Sequence, residues 1–152
     1  MRRTHRLNKS RVQKNPISDV RIGSTCVGKG VFATRDYRVD WVIGEILGDI
    51  IDDPDYGSDY CIDTEDGRCL EPYTPFRYLN HSCQPNCELE WLDMNGEGEM
   101  PVTRRLFLSA LQEIRLDDEL TIDYEWSGDA AIPCRCRALS CRGWVVNPKE
   151  RL

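Results

Sequence analysis

The sequence predicts a small, mostly β fold in a single domain. Three observations carry this: the apolar segments are short and rich in Val, Ile and aromatic residues, Gly and Asp turns separate them, and helical patterning is nearly absent. In chain order, Val20–Ile22 leads into Thr25–Ala33, where Gly28 and Gly30 bracket Lys29 ahead of an apolar strand. Trp41–Ile51 reads as strand but is broken by Gly44 and Gly48. Tyr60–Ile62 and Arg68–Leu70 flank an Asp66-Gly67 hairpin turn. From Cys87 to Trp91, Cys87, Leu89 and Trp91 alternate with Glu88 and Glu90, the period of a half-buried strand. Past a Gly96–Gly98 turn come Val102–Ala110 and Glu119–Tyr124, the latter placing Leu120, Ile122 and Tyr124 on one face. Only Tyr73–Leu79 and Ala110–Arg115 could hold helical turns, and no internal repeat or low-complexity tract is visible.

A chain of 152 residues is long enough to bury a core without covalent staples. No apolar run is long enough to span a membrane, and the basic first residues are not followed by a hydrophobic segment. The expected location is therefore intracellular, where the eight cysteines read as thiols or metal ligands rather than disulfides. Net charge is −6 and is divided along the chain: residues 1–18 carry +6 with no acid, the remainder −12. An acidic body disfavours direct nucleic-acid binding and attracts a basic partner. Ten carboxylates and no Lys or Arg fall between Val39 and Gly67. Such a run is either a solvated face or a groove for a cationic peptide. The basic arm lacks apolar periodicity and reads as a disordered tail or a late-folding strand.

Two stretches carry chemistry. Arg77–Cys87, reading RYLNHSCQPNC, packs Asn80, His81, Ser82 and Cys83 consecutively and then places a Pro85-Asn86 turn. Four polar side chains in a row cannot share one face of a helix or strand, so a tight buried loop is expected; the alternative is a surface loop that happens to hold cysteines. The second stretch is Cys134-Arg-Cys136-Arg-Ala-Leu-Ser-Cys141. Three thiolates in eight residues can wrap one tetrahedral zinc, with the fourth ligand drawn from afar, Cys83 or Cys87. Free thiols or oxidised pairs are the other reading.

Gly28-Lys29-Gly30-Val31-Phe32-Ala33, then Arg77–Cys83, then Glu119-Leu120-Thr121-Ile122-Asp123-Tyr124, and finally the Cys134–Cys141 cluster with Arg142-Gly143 follow a known order. Over about residues 18–145 the chain resembles a SET domain with a zinc-binding post-SET segment, the family of S-adenosylmethionine-dependent protein lysine methyltransferases. The resemblance implies small β-sheets around a pseudo-knot, with the Asn80–Cys83 loop beside Tyr124. It divides the chain into a basic arm (1–18), a SET domain (19–128) and a post-SET segment (129–152). It implies that Tyr124 is the catalytic tyrosine, and that Lys29, Gly30, Tyr60, Arg77, Tyr78, Asn80, His81 and Tyr124 meet the cofactor, with Trp144 stacking on the adenine. Cys83, Cys134, Cys136 and Cys141 match the four zinc ligands, which leaves Cys87 as a structural thiol.

The implied substrate is a basic protein tail, histone or histone-like, placing the protein in the nucleus if eukaryotic and in the cytoplasm if bacterial. Two positions depart from the family pattern: Ile46 replaces a tyrosine near the lysine channel, and Ile122 stands where Phe or Tyr is common. A catalytically inactive SET-like module that binds a basic peptide is the rival reading. Lys9 and Lys14 of the arm resemble such a substrate and are candidates for methylation in cis. Target lysine, methylation state and oligomeric state are not legible in the sequence.

Overall fold

A computed structural model describes residues 19–94 and 103–150. The basic arm with Lys9 and Lys14, and the Gly96–Gly98 turn, lie outside the described residues. Among the described residues, twelve short strands form four small sheets. The first sheet combines β1 (Val20–Thr25), β2 (Gly28–Ala33), β10 (Glu119–Ile122) and β7 (Asn80–His81) in the order β1-β2-β10-β7. The second takes β3 (Val42–Glu45), β9 (Thr103–Ala110) and β8 (Cys87–Met94) in the order β3-β9-β8. The third is β4 (Gly48–Ile51), β6 (Cys69–Pro72) and β5 (Ile62–Asp63), ordered β4-β6-β5, and β11 (Ile132–Pro133) pairs with β12 (Trp144–Val145).

Side-chain alternation explains where the core lies. Val31 and Ala33 of β2, Leu120 and Ile122 of β10, and Leu106 and Leu108 of β9 all point inward and are buried together with Ile43, Ile46, Phe76 and Leu79. In β8 the expected alternation holds from Cys87 to Trp91, then shifts so that Leu92 is also buried. The Trp41–Ile51 stretch divides into β3 and β4 as its glycines suggest, and Gly48 has a specific reason: a Cβ there would run into the Glu71 carbonyl of the paired strand β6. The Asp66-Gly67 hairpin forms with Gly67 at φ +86°, left-handed backbone that suits glycine, and Thr64 donates its amide to the Arg68 carbonyl at 3.1 Å.

Three expectations need correction. Tyr73–Leu79 shortens to a single 3₁₀ turn over Phe76–Tyr78. Ala110–Arg115 holds no helical turn, because Tyr37 and Ile114 exchange both backbone hydrogen bonds (2.8 and 2.9 Å) and keep that segment extended. The Asn80–Cys83 loop begins with a strand: Asn80 and His81 pair in parallel with Thr121 and Ile122 of β10. Two residues past this pairing, the Cys83 thiol meets the C-terminal segment.

Leu108 is 0% exposed on the central strand of its sheet. Leu108→Ala is expected to cost about 2–5 kcal/mol, read as a fall in the urea midpoint at unchanged slope.

Candidate active site and metal centre

β2 and the turn before it open the site. Gly28 sits at φ +119°, and Gly30 is packed so closely that a Cβ would lie 2.6 Å from Thr25 Cγ2 and 2.7 Å from Glu119 Oε1. Gly28 brings bare backbone to a groove of about 400 Å³ lined by Val27, Gly28, Lys29, Tyr60, Tyr78 and Asn80. The groove walls are braced by rings and cations. Tyr60 meets Tyr78 edge-on at 6.2 Å, the Arg77 guanidinium lies 4.3 Å above the Tyr60 ring, and Lys29 Nζ lies 4.8 Å above Tyr78.

Asn80 lines the groove, but its amide nitrogen is already committed. It donates to the Lys29 carbonyl at 2.9 Å and to Glu119 Oε1 at 2.8 Å, so the side chain clamps β2 to β10. Asn86, which the sequence presented only as a turn residue, holds the same strand. Its Nδ2 donates to the Glu119 carbonyl at 2.8 Å, and its Oδ1 accepts the Thr121 amide at 2.9 Å. The signal was present in the Pro85-Asn86 pair, since an asparagine amide presents a donor and an acceptor much as a peptide group does.

Tyr124 follows β10 directly. Its hydroxyl donates to the Leu79 carbonyl at 2.6 Å, and its ring packs 5.2 Å from Trp126 and 5.4 Å from His81. Burial, reinforced by the nearby charges of Tyr60, Asp59 and Glu119, pushes its hydroxyl up to about 12, so it is protonated at neutral pH. His81 is buried on β7 with its side chain 5% exposed. Burial lowers its affinity for a proton; Asp123 opposes this and Arg142 adds to it. The Arg142 guanidinium donates to Asp123 Oδ1 and to the Val146 carbonyl, each at 2.9 Å, binding the C-terminal segment to the strand that carries Tyr124.

The structure settles the question of the fourth thiol. The sulfurs of Cys83, Cys134, Cys136 and Cys141 all lie within 4.8 Å of one another, with Cys83 at 3.7 Å from Cys134 and 4.0 Å from Cys141. Four sulfurs at zinc–thiolate bond length around a tetrahedral ion are about 3.8 Å apart, far longer than a disulfide bond. The donor set therefore fits one zinc ion. Backbone amides point at the cluster as well: Cys83 to Cys136 Sγ, Cys136 to Cys134 Sγ and Gly143 to Cys141 Sγ, at 3.4–3.5 Å. Burial pushes the Cys136 thiol up, but amides from Cys83 and Ala138 and the thiols of Cys134 and Cys141 outweigh it and bring it down to about 6. Cys87 is different, 1% exposed in the core, where burial pushes its thiol up to about 12.

Of the residues singled out in the sequence, Lys29, Tyr60, Tyr78 and Asn80 line the groove, and Arg77 reaches its wall through the Tyr60 ring. Trp144 is 42% exposed on β12 and is not among the groove-lining residues, so adenine stacking by it finds no support in this arrangement. Ile46 and Ile122 are both core residues. Most carboxylates of the acidic run are exposed, which realises the solvated face.

Metal analysis of the purified protein is expected to find one zinc per chain. Chelation should lower the melting temperature, because the ion joins the β7 loop to the C-terminal segment.

A SET domain family model matches residues 28–125. Among curated relatives, an H3 lysine-4-specific histone-lysine N-methyltransferase of Emericella nidulans is 38% identical over 45% of this chain. An H3 lysine-36-specific one of Mus musculus is 29% identical over 91% of this chain. The chain spans only 6% of the length of each. Among solved structures, KRYPTONITE in complex with DNA, an H3 peptide and SAH shares the fold at TM-score 0.66 and 23% identity, over 80% of this chain and 28% of that one. A Plasmodium falciparum protein does so at TM-score 0.60 and 24% identity, over 74% of this chain and 97% of that one. With the family model spanning most of its length, the chain belongs to the SET domain family.

Proposed function

We propose that the chain is an S-adenosylmethionine-dependent protein lysine N-methyltransferase that acts on a basic protein tail, histone or histone-like. The observation that carries this reading is Tyr124: a half-buried, protonated hydroxyl fixed on the Leu79 carbonyl, one residue before the groove-lining Asn80. The names of the relatives favour a histone H3 tail, and the exposed acidic face favours a cationic substrate. A histone substrate would place the protein on chromatin in a eukaryote. No helix among the described residues is long and apolar enough to cross a membrane.

The cofactor would supply a sulfonium methyl group for in-line transfer to a neutral amine. The protein's task is then alignment and exclusion of water rather than proton relay. Lys29, Tyr60, Tyr78 and Asn80, which line the groove, would hold the cofactor together with Gly30 of β2, with Arg77 bracing Tyr60. The Tyr124 hydroxyl spends its proton on Leu79, and its oxygen would face the transferring methyl or the incoming amine. Because it does not ionise near neutral pH, it presents no competing nucleophile. Cys83, Cys134, Cys136 and Cys141 would hold zinc, closing residues 129–152 over the 19–128 domain.

Transfer of labelled methyl from S-adenosylmethionine to core histones and other basic proteins tests the reading. Tyr124→Phe is expected to lower kcat by roughly 100-fold or more while cofactor binding persists. Label absent from every protein, with no cofactor bound, would leave a SET-like module that binds a basic peptide. Cys136→Ser should weaken cofactor and substrate binding together; unchanged cofactor affinity would detach the zinc segment from the groove.

A further inference from the structure

The imidazole of His81 has two polar contacts, and they point to different parts of the site. The Tyr124 backbone amide lies 3.2 Å from Nδ1, and an amide nitrogen can only donate. Nδ1 therefore accepts, and the neutral ring carries its proton on Nε2. Nε2 lies 3.3 Å from Cys83 Sγ, within reach of an N–H···S hydrogen bond to one of the four clustered sulfurs. Asp123 Oδ1 is 3.5 Å from Nδ1, but it accepts from Arg142 at 2.9 Å, and the Nδ1 lone pair is already directed at the amide. The ring cannot drift, since its side chain is 5% exposed and β7 is paired with β10.

We propose that His81 is a positioning residue whose imidazole ties the tetrathiolate centre to the backbone of Tyr124. The inference rests on the methyltransferase reading of Tyr124 and on zinc at the four thiolates, and gives the side chain a role apart from any backbone contact with cofactor. One ring nitrogen steadies and partly neutralises a metal-ligating sulfur. The other fixes the amide of the residue whose hydroxyl is held on Leu79. Filling the metal site therefore sets the ring, and the ring sets the tyrosine. Loss of a hydrogen-bond donor to a metal ligand typically weakens metal binding about 10–100-fold.

Two substitutions separate the halves. His81→Asn puts an acceptor near the position of Nδ1 and cannot reach Cys83. His81→Gln carries a donor out to the position of Nε2 and gives up the Tyr124 amide. With the full chain, zinc affinity is measured by competition with a chromogenic chelator, and kcat and KM by labelled methyl transfer on zinc-loaded protein. The expected result is a split. His81→Asn loses about 10–100-fold in zinc affinity, while His81→Gln keeps zinc affinity and loses kcat by about 10-fold or more with little change in KM, a larger loss of kcat than His81→Asn shows. Equal losses in both variants, or unchanged zinc affinity in His81→Asn, overturn the proposal. Imidazole ¹⁵N shifts of the unsubstituted zinc-loaded protein give a test that needs neither a variant nor activity. A proton on Nε2 is expected, and a proton on Nδ1 sinks the idea. Should the unsubstituted chain transfer no methyl at all, the methyltransferase reading fails, while the zinc competition and the ¹⁵N shifts still decide whether His81 joins sulfur to amide.

Discussion

A ladder two residues wide holds this molecule's working parts together. Asn80 and His81 lie parallel to Thr121 and Ile122, and that register alone brings Leu79 to the Tyr124 hydroxyl, His81 to the Tyr124 amide and Cys83 to the C-terminal thiols. So short a pairing cannot stand unaided. It is held from below by Leu120 and Ile122 in the core, and from the sides by two asparagine amides. Asn80 joins the neighbouring strand β2, and Asn86 takes the Glu119 carbonyl and the Thr121 amide. Each such hydrogen bond contributes only about 0.5–1.5 kcal/mol net, but leaving a buried partner unmade costs more, so the arrangement is held chiefly by what its loss would expose.

The sequence made the strands legible where one face is buried and the other wet. Leu120, Ile122 and Tyr124 alternate with polar residues and do face the core, as do Cys87, Leu89 and Trp91. It also exposed the thiol cluster, because three cysteines so close together in one segment have few other uses. Spacing alone left Cys83 and Cys87 open, and the family resemblance pointed to Cys83; in the structure Cys87 is buried in the core and the Cys83 sulfur lies with the other three. Long-range pairing was the main blind spot. Asn80–His81 reads locally as loop, and Ala110–Arg115 as a turn of helix, until Ile122 and Tyr37 supply backbone partners from distant parts of the chain. Arg142 belongs to the same blind spot: its partners Asp123 and Val146 become visible only once the C-terminal segment folds back.

Burial gives the two isoleucines a plain structural account. Ile46 and Ile122 fill the core, so a tyrosine at either place would bring a hydroxyl in need of a partner among apolar side chains. The Tyr124 hydroxyl, by contrast, is satisfied by a backbone carbonyl and is therefore fixed in direction. A hydroxyl fixed this way suits a reaction governed by alignment and unsuits one that needs a mobile proton.

Charge sets a tension at that point. Asp59 belongs to the exposed acidic run and acts on Tyr124, helping to keep its hydroxyl protonated. The same negative field would draw a lysine ammonium toward the groove beside Tyr60, yet it would also hold the proton on that amine. A sulfonium in the groove pulls the other way, since one positive charge in a confined site disfavours a second. Attraction and deprotonation are then served by different charges. The carboxylates act in solvent over roughly a Debye length of 8 Å, where salt screens them, and a bound sulfonium would act at close range, where salt screens less. A basic tail would thus be gathered by the outer face and lose its proton only on entering the channel, which keeps amine reactivity confined to the place where Tyr124 is fixed.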